Sequence, residues 1–335
     1  MPYTKHKPRV IVIGAGLTGL TAAHALEAAG ASVTVLEKAR GAGGRMSTRR
    51  QGDISFDHGA PSFTVRNAAF ADAVAAWEAA GVLHAWHPRA AIIDDAEATP
   101  NDSGTDRVVA VPGMSSLCRH LAEQLEDCRF GWRVTEVHRE TGQWTVDAIS
   151  GEPAVDQRVS ADVLIVTVPA PQAQALLGTH IQRLAALKIG MHPCWVLMAR
   201  YDKPLLDGFD AAWVTAGPLC WVASEASKPA RAQAHAWTML ASPAWTNRHL
   251  EAGAEQARDD LLRAAADLPG STAPRALETQ VHRWRFAQVD PTCRPGAFHE
   301  PEAQLLVTGD WCFGGGVEAA YLAGIDAGER IRRTP

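Results

Sequence analysis

Val10-Ile11-Val12-Ile13-Gly14-Ala15-Gly16-Leu17-Thr18-Gly19 compresses a strand, a tight turn and the start of a helix into one fingerprint. Val10 to Ile13 is a continuous apolar run rich in β-branched residues, the pattern of a parallel strand buried on both faces. Each glycine has its own duty: Gly14 makes the turn, Gly16 lets backbone approach a pyrophosphate, and Gly19 lets helix pack closely on strand. Leu17 and Thr18 begin a helix that runs to about Ala29. Its free N–H groups and partial positive charge face the phosphates. A second strand, Ser32 to Leu36, ends in Glu37. A carboxylate there accepts hydrogen bonds from a ribose diol, and it repels a 2′-phosphate by roughly 4 kcal/mol for unit charges 4 Å apart at an effective dielectric of about 20. The spacing predicts a Rossmann-type dinucleotide-binding domain of the α/β class.

The continuation, Glu37-Lys38-Ala39-Arg40-Gly41-Ala42-Gly43-Gly44-Arg45-Met46, narrows the ligand. A nicotinamide-binding domain has no particular need of a second glycine-rich, basic loop. A flavin lying across the domain does, because its pyrophosphate and ribityl chain require further close backbone contacts. Arg45 can supply charge to a phosphate.

Glu37 with Gly43-Gly44-Arg45, followed by Asp57-His58-Gly59-Ala60-Pro61, resembles the flavin amine oxidase superfamily, which includes monoamine oxidases, phytoene desaturases and renalases. The resemblance implies a glutathione-reductase-like FAD domain in which Lys38, Gly43, Gly44, Arg45 and Met46 line the cofactor, with Gly59 and Ala60 close to the isoalloxazine. It implies backbone contact to the adenine at Val134 and a strand exit beside the flavin at Thr167 and Pro169. At the other end of the chain it implies that Gly309 and Asp310 hold the ribityl hydroxyls. A helix N-terminus at Val317-Glu318-Ala319 then points at the pyrimidine. Such a terminus favours negative charge gathering there by a few tenths to about 1 kcal/mol. His58 is a candidate catalytic base, although a lone loop histidine is more often only loop.

Composition sets the outer limits. With 335 residues, 47% of them hydrophobic, the chain can build a sizeable core and about two domains. A net charge of −5, without a basic block, argues against nucleic acid or an anionic membrane as partner. Lys5, Lys7 and Arg9 read as a solvated tail. No run approaches the roughly 18 apolar residues of a membrane span, and the short run ending in Gly-Ala-Gly is not a secretory signal. Six scattered cysteines suit a reducing, cytoplasmic location and imply neither disulfides nor metal.

Along the chain, a helix is expected from Asn67 to about Ala80. His84 and His87 form a metal pair only if helical, and no ligand cluster supports them. Residues 96–106 read as an exposed loop, a possible lid. A strand at Arg107 to Val111 and a helix to about Leu125 follow. An antiparallel meander of Cys128 to Trp132, Val134 to Arg139 and Trp144 to Ile149 comes next, then a buried strand at Asp162 to Val168. Beyond Pro171, helices near 172–177 and 250–268 alternate with strands around Trp195, Trp213, Trp221 and Trp237. Leu305 to Thr308 and a helix from about Val317 to Arg330 return to the first domain. The expected division is 1–66, 107–170 and 301–335 for the FAD domain, and 67–106 with 171–300 for a substrate domain built on a mixed or antiparallel sheet. Val281 to Val289, read as a strand, puts His282, Trp284, Phe286 and Gln288 on one face and Arg283 and Arg285 on the other. The first face suits a flat heteroaromatic ring; Trp284, Phe286 and Gln288 are candidate site residues, and core packing is the alternative.

Over nearly the whole chain the best resemblance is to renalases, carried by Gly43-Gly44-Arg45-Met46, Asp57-x-Gly59-Ala60, Val168-Pro169-x-Pro171 and Trp284-Arg285-x-x-Gln288-Val289. That resemblance implies oxidation of dihydronicotinamides, the 2- and 6-dihydro isomers of NAD(P)H, by hydride transfer to flavin N5, with O2 reduced to H2O2. Loss of hydride from a dihydropyridine gives an aromatic cation directly and asks for orientation rather than a strong base. The amine-oxidising branch usually has a lysine at the stretch matching Met191-His192-Pro193-Cys194-Trp195, where none occurs; Lys188 and Lys203 lie off that position. No cysteine stands in the context of a covalent flavin link, Cys312 included, so noncovalent FAD is expected. The alternatives are a flavin oxidase or dehydrogenase acting on a small amine or carbocycle, a nicotinamide-dependent dehydrogenase without flavin, and a redox-idle FAD-binding scaffold or sensor.

Overall fold

The computed structural model of the chain describes residues 7–101, 106–178, 180–290 and 292–333. It falls into two compact units. One comprises Met1–Gly44, Cys118–Gly190 and Val289–Pro335, the other Arg45–Leu117 and Met191–Gln288. These divisions differ from the expected domains: residues 45–66 and 107–117 group with the substrate unit, and 171–190 and 289–300 with the nucleotide unit.

The nucleotide unit is a Rossmann-like α/β layer structure. Its six-stranded sheet runs in the order Phe298–Glu300, Leu305–Val307, Val163–Val166, Arg9–Ile13, Ser32–Glu37, Cys128–Phe130. Arg9–Ile13 is flanked in parallel register by Ser32–Glu37 (Val12 opposite Val35) and by Val163–Val166 (Val12 opposite Ile165). Parallel strands buried on both faces tolerate only apolar side chains, and Val12, Val35, Leu164, Ile165 and Val166 are all fully buried. The helix Leu17–Ala28 packs against the last helix, Gly316–Arg332. A Cβ at Gly324 would lie 2.5 Å from Thr21 Cβ, and one at Gly328 equally close to Ala25 Cβ, so these two positions let the helices touch.

Two expectations in this unit are corrected. Cys128–Phe130 does not belong to the meander; it pairs in parallel with Ser32–Glu37, Val35 opposite Cys128. The meander's third strand is instead Val155–Ala161, paired with Gln143–Ser150. Its sequence, Val-Asp-Gln-Arg-Val-Ser-Ala, is mostly exposed, so the hydrophobic alternation that announces a half-buried strand is too weak to read. Of the basic start, Arg9 belongs to the first strand and its Nη2 meets Asp162 Oδ1 at 3.1 Å, whereas Lys7 is solvent-exposed, 4.0 Å from Glu126. Lys5 is outside the described residues.

The substrate unit carries a mixed seven-stranded sheet in the order Ala276–Val289, Met191–Tyr201, Ala236–Ala241, Leu219–Ser224, Ala211–Val214, Ala90–Ile93, Ala98–Pro100. Ala90–Ile93 pairs in parallel with Ala211–Val214, while its other neighbour, Ala98–Pro100, is antiparallel. The core gathers Trp195, Trp237, Trp245, Tyr201, Leu205 and Leu261 beneath the helices Pro243–Arg248 and Ala254–Ala266. Asn67 caps the helix Ala68–Ala79 by accepting from the Ala69 and Phe70 amides, as the periodicity predicts.

Here too the sequence reading needs amendment. Part of the expected loop 96–106 is the strand Ala98–Pro100. Asp94 Oδ1 accepts from the Ala96 and Glu97 amides at 2.8 and 2.9 Å, closing a turn that folds this strand onto Ala90–Ile93. Residues 102–105 of that loop, Ser103 and Gly104 among them, are outside the described residues. His84 lies in the strand Leu83–Trp86, not a helix. His87 follows that strand and faces Asp106 at 3.5 Å.

Candidate active site

In the nucleotide unit the first fingerprint closes as its sequence demands. Gly14 adopts a φ of +110°, which a side chain would strain, and Thr167 Oγ1 seals the turn by donating to Ile13 O and Gly14 O at 3.0 and 3.2 Å. A Cβ at Gly19 would sit 2.0 Å from Gly14 O, so helix and turn meet only through glycine. Gly16 differs: its φ of −81° suits any residue, and a Cβ there would meet no atom within 4 Å. The missing side chain leaves room in front of the backbone.

The second glycine loop adjoins that room. Gly43 N donates to Ala15 O at 3.0 Å, and a Cβ at Gly44 would lie 3.6 Å from Gly16 Cα. The helix behind Gly16 has neither a side-chain cap nor an acidic residue in its first turn, so nothing within the helix itself offsets the positive field of its N-terminal amides. Glu37, 8% exposed, accepts from Ala15 N at 2.9 Å and Ala39 N at 2.8 Å, which fixes its carboxylate beside the turn. Two glycine loops, an open helix terminus and an anchored carboxylate fit a dinucleotide carrying a pyrophosphate and a free ribose diol.

Other expected contacts in this unit are placed unevenly. Lys38 is exposed and donates to Gln172 Oε1 at 3.3 Å. Val134 sits at the bulge that opens the meander, opposite Ala148. Pro169 precedes the helix Ala170–Leu177 as its cap. Gly309 and Asp310 lie at the end of strand Leu305–Val307, with Asp310 6% exposed and its carbonyl accepting from the Phe313 and Gly315 amides. Val317 and Ala319 are buried in the first turn of the last helix, with Glu318 half-buried between them. Thr18, read as a cofactor contact, turns its hydroxyl to Ala320 O at 2.9 Å and ties the first helix to the last. Cys312 is 1% exposed, and burial pushes its thiol far up, so it stays a thiol at neutral pH.

In the substrate unit, Arg45 and the loop after Asp57 are joined by backbone: Ala60 N donates to Arg45 O at 2.8 Å, and a Cβ at Gly59 would approach that oxygen to 2.0 Å. Arg45 Nη1 reaches Ala287 O at 3.5 Å, and Met46 is buried beside it. His58 comes together with the expected aromatic face. Its ring stacks on Trp284 at 5.4 Å and 23°, and meets His282 edge-on at 4.9 Å; His282 in turn abuts Trp284 at 4.5 Å. Trp284 Nε1 donates to His58 O at 2.7 Å. Burial, then the charges of His282 and Arg49, pull His58 down to about 4; burial and Arg49 do the same to His282. Both imidazoles are therefore neutral at pH 7. Among the described residues His58 Nδ1 has no hydrogen-bond partner. Phe286, half-buried, and Gln288, exposed, do not join the ring cluster. The opposite face is not an open cationic strip, because Glu251 pairs with Arg285 at 2.7 Å and with Arg283 at 3.4 Å.

Sequence reading missed what anchors this loop. Asp57 is fully buried, with its carboxylate 2.9 Å from Lys228 Nζ and 2.6 Å from Arg231 Nη2. Glu225 completes a tetrad: Oε2 lies 2.9 Å from Lys228 Nζ, and Oε1 accepts from Asp57 N and Thr238 Oγ1 at 3.0 and 2.6 Å. Burial alone would raise the Asp57 carboxyl; Lys228 and Arg231 outweigh it, with the Met114 amide and the Thr48 hydroxyl, and hold it below the ordinary range. The one available signal was Glu225-x-x-Lys228-x-x-Arg231, charges three apart inside a tryptophan-rich domain. One group of possible metal ligands, Glu136, His138 and Asp147, stands among the described residues, and there Asp147 is already paired with Arg158 at 2.6 Å. No helix of the described residues is long and apolar enough to cross a membrane.

Comparison with known proteins agrees with this geometry. Residues 12–76 match the model of the NAD(P)-binding Rossmann-like domain, and residues 90–332 match that of flavin containing amine oxidoreductases. Among solved structures, a candidate protoporphyrinogen oxidase from Exiguobacterium sp. 255-15 superposes with a TM-score of 0.76 at 16% identity, over 98% of each chain. A putrescine oxidase triple mutant gives 0.74 at 15%, over 98% of this chain and 99% of that one. Curated relatives include an L-amino-acid oxidase of Sistrurus catenatus edwardsii, 48% identical over 50 residues, which are 15% of this chain and 10% of that protein. An L-amino acid oxidase of Bothrops pictus is 51% identical over 47 residues, 14% of this chain and 9% of its own length. The matched stretches thus span about a tenth of those relatives.

Proposed function

The chain belongs to the family of flavin-containing amine oxidoreductases, and from that premise we propose that it is a renalase-type oxidase. Its substrate is then a dihydronicotinamide, an isomeric form of NAD(P)H. The cofactor is FAD, which this reading places noncovalently on the glycine loops and Glu37, and O2 is reduced to H2O2. Bound FAD supplies the two-electron oxidation.

The observation that carries the reading is the wall formed by His58, His282 and Trp284. Its two imidazoles are held near 4, so at neutral pH neither takes up the proton that an alkylammonium must lose before oxidation. A dihydropyridine has no such proton to lose. The flat indole of Trp284, fixed by its bond to His58 O, offers a stacking face to a ring that becomes cationic on oxidation. The tetrad's lysine is engaged with Asp57 and Glu225, which leaves it unsuited to serve as an amine oxidase's lysine.

A second reading, oxidation of an amine or amino acid, is favoured by the names of the structural neighbours and curated relatives. Anaerobic reduction of the flavin separates the two. Bleaching by isomer-containing dihydronicotinamide, but not by putrescine or L-amino acids, is expected, with peroxide formed when O2 is admitted. The reverse pattern would establish the second reading, and a flavin bleached by none of these would mark a redox-idle scaffold. Trp284→Ala is expected to slow reduction by about tenfold, the scale of a lost aromatic contact, with FAD still bound. Loss of FAD from this variant would contradict the assigned role.

A further inference from the structure

In the substrate unit, Arg107 lies at the start of the strand Arg107–Ala110, half-buried beside a pair of tryptophans. Its Cζ is 4.5 Å from the ring centroid of Trp213 and 5.0 Å from that of Trp221. The two indoles meet edge to face at 4.7 Å. A guanidinium carries five N–H donors, yet one acceptor serves Arg107 among the described residues, Ser62 Oγ at 3.0 Å from Nη1. No carboxylate pairs with it among those residues. Asp106, its neighbour in sequence, faces His87 instead. The adjacent Trp221 is 6% exposed, and among the described residues its Nε1 is a buried donor without an acceptor.

Most buried donors have partners, and a desolvated cation ordinarily has a counter-ion. Here an unneutralised guanidinium and an orphaned indole N–H share a two-tryptophan cluster. Ser62 closes the segment Asp57-His58-Gly59-Ala60-Pro61-Ser62, so the same short run carries both His58 and the hydroxyl that orients Arg107. An indole face attracts a guanidinium electrostatically without using its N–H groups, which stay available to meet an oxyanion bidentately.

We propose that Arg107, oriented by Ser62 and set beside Trp213 and Trp221, is a specificity site that binds an oxyanion of the substrate, a carboxylate or a phosphate. The inference rests on the reading of this protein as a small-molecule oxidase and adds the charge of its substrate. Reduced nicotinamide mononucleotide would present a phosphate, and an amino acid would present a carboxylate.

The test uses the FAD-loaded protein and two matched pairs of reductants. Isomer-containing reduced nicotinamide mononucleotide is compared with isomer-containing reduced nicotinamide riboside, and L-phenylalanine with phenethylamine. In one pair the member that carries the oxyanion should half-saturate anaerobic flavin reduction at a concentration on the order of 10- to 100-fold lower than the partner that lacks it, the scale of hydrogen bonds to a charged group. The pair that responds identifies the phosphate or the carboxylate. Arg107→Met should collapse that ratio towards one, and Arg107→Lys should keep part of it. Equal use of both members by the unaltered protein, or an advantage that survives Arg107→Met, overturns the inference.

If neither pair bleaches the flavin, the oxidase reading fails separately, and calorimetry with inorganic phosphate and acetate decides the anion site. Binding that is lost in Arg107→Met supports the site, and no binding to the unaltered protein overturns it. Should Arg107→Met fail to fold, Trp221→Phe, which removes the orphaned donor and keeps a smaller aromatic ring, is expected to weaken anion binding severalfold. Unchanged binding in that variant counts against the site.

Discussion

His58 and His282 show how burial sets the chemistry of single residues. Both are held to about 4 against an ordinary 6.5. Between those values the unfolded chain binds protons that the folded chain refuses, so stability must fall as pH drops from about 6.5 to about 4 and be flat above. The His58 share of that slope approaches about 1.4 kcal/mol per pH unit; His282 contributes less, being nearer solvent. A further loss begins as pH falls through 3.8, where Asp57 of the unfolded chain binds its proton, and is complete once the depressed carboxylate of the folded chain does so and its pairing with Lys228 and Arg231 ends. Urea denaturation of the protein at a series of pH values checks this. His58→Gln should flatten the slope between pH 6.5 and 4 while leaving the loss at lower pH. A slope unchanged by that substitution would mean that His58 titrates normally. The sequence could nominate His58 as a loop histidine near the flavin, but its neutrality depends on His282 and Trp284, more than 200 positions away in the chain.

The tetrad of Asp57, Glu225, Lys228 and Arg231 acts at the scale of elements, joining the loop after strand Ile54–Phe56 to the turn after strand Leu219–Ser224. Two carboxylates and two cations balance, and a balanced buried network is costly to break from one side. Lys228→Met leaves two buried carboxylates facing Arg231 alone and should destabilise the protein by about 3–5 kcal/mol. Lys228→Met with Glu225→Gln restores the charge balance and should lose less than the sum of the two single changes, a coupling readable by chemical denaturation. Strict additivity would show that the four groups do not act as one network. Why the sequence concealed this is physical. Asp57 was legible as part of a flavin loop, and the strands around Trp195, Trp213, Trp221 and Trp237 were legible from their apolar runs. Ion pairing of Asp57 with residues 171 and 174 positions away leaves no local periodicity. The third meander strand was lost for the opposite reason, because Val155–Ala161 is paired by backbone while most of its side chains face water.

At the scale of the whole molecule, the fingerprint at residues 10–19 was readable because glycine spacing is itself the mechanism, yet it is completed from the far end of the chain. Leu305–Val307 pairs in parallel with Val163–Val166, and all three of its residues are fully buried. Gly324 and Gly328 bring the last helix onto Thr21 and Ala25 of the first, and Thr18 donates to Ala320 O. Without residues 305–335, Leu164, Ile165 and Val166 lose a neighbouring strand. The first helix also loses its packing face, and Thr18 its acceptor. Each fully buried aliphatic side chain contributes about 1.5–3 kcal/mol, so the three strand residues alone rival the roughly 5–15 kcal/mol by which a domain is stable. A chain ending at Gln304 is therefore expected to yield protein without bound FAD and without cooperative unfolding of the nucleotide unit, although it retains every residue of both N-terminal glycine loops and Glu37. Flavin absorbance of the purified truncation, together with its thermal unfolding profile, checks this. Retention of FAD at full stoichiometry would show that the N-terminal loops suffice, and that the C-terminal strand and helix are accessory to a cofactor site complete by residue 304.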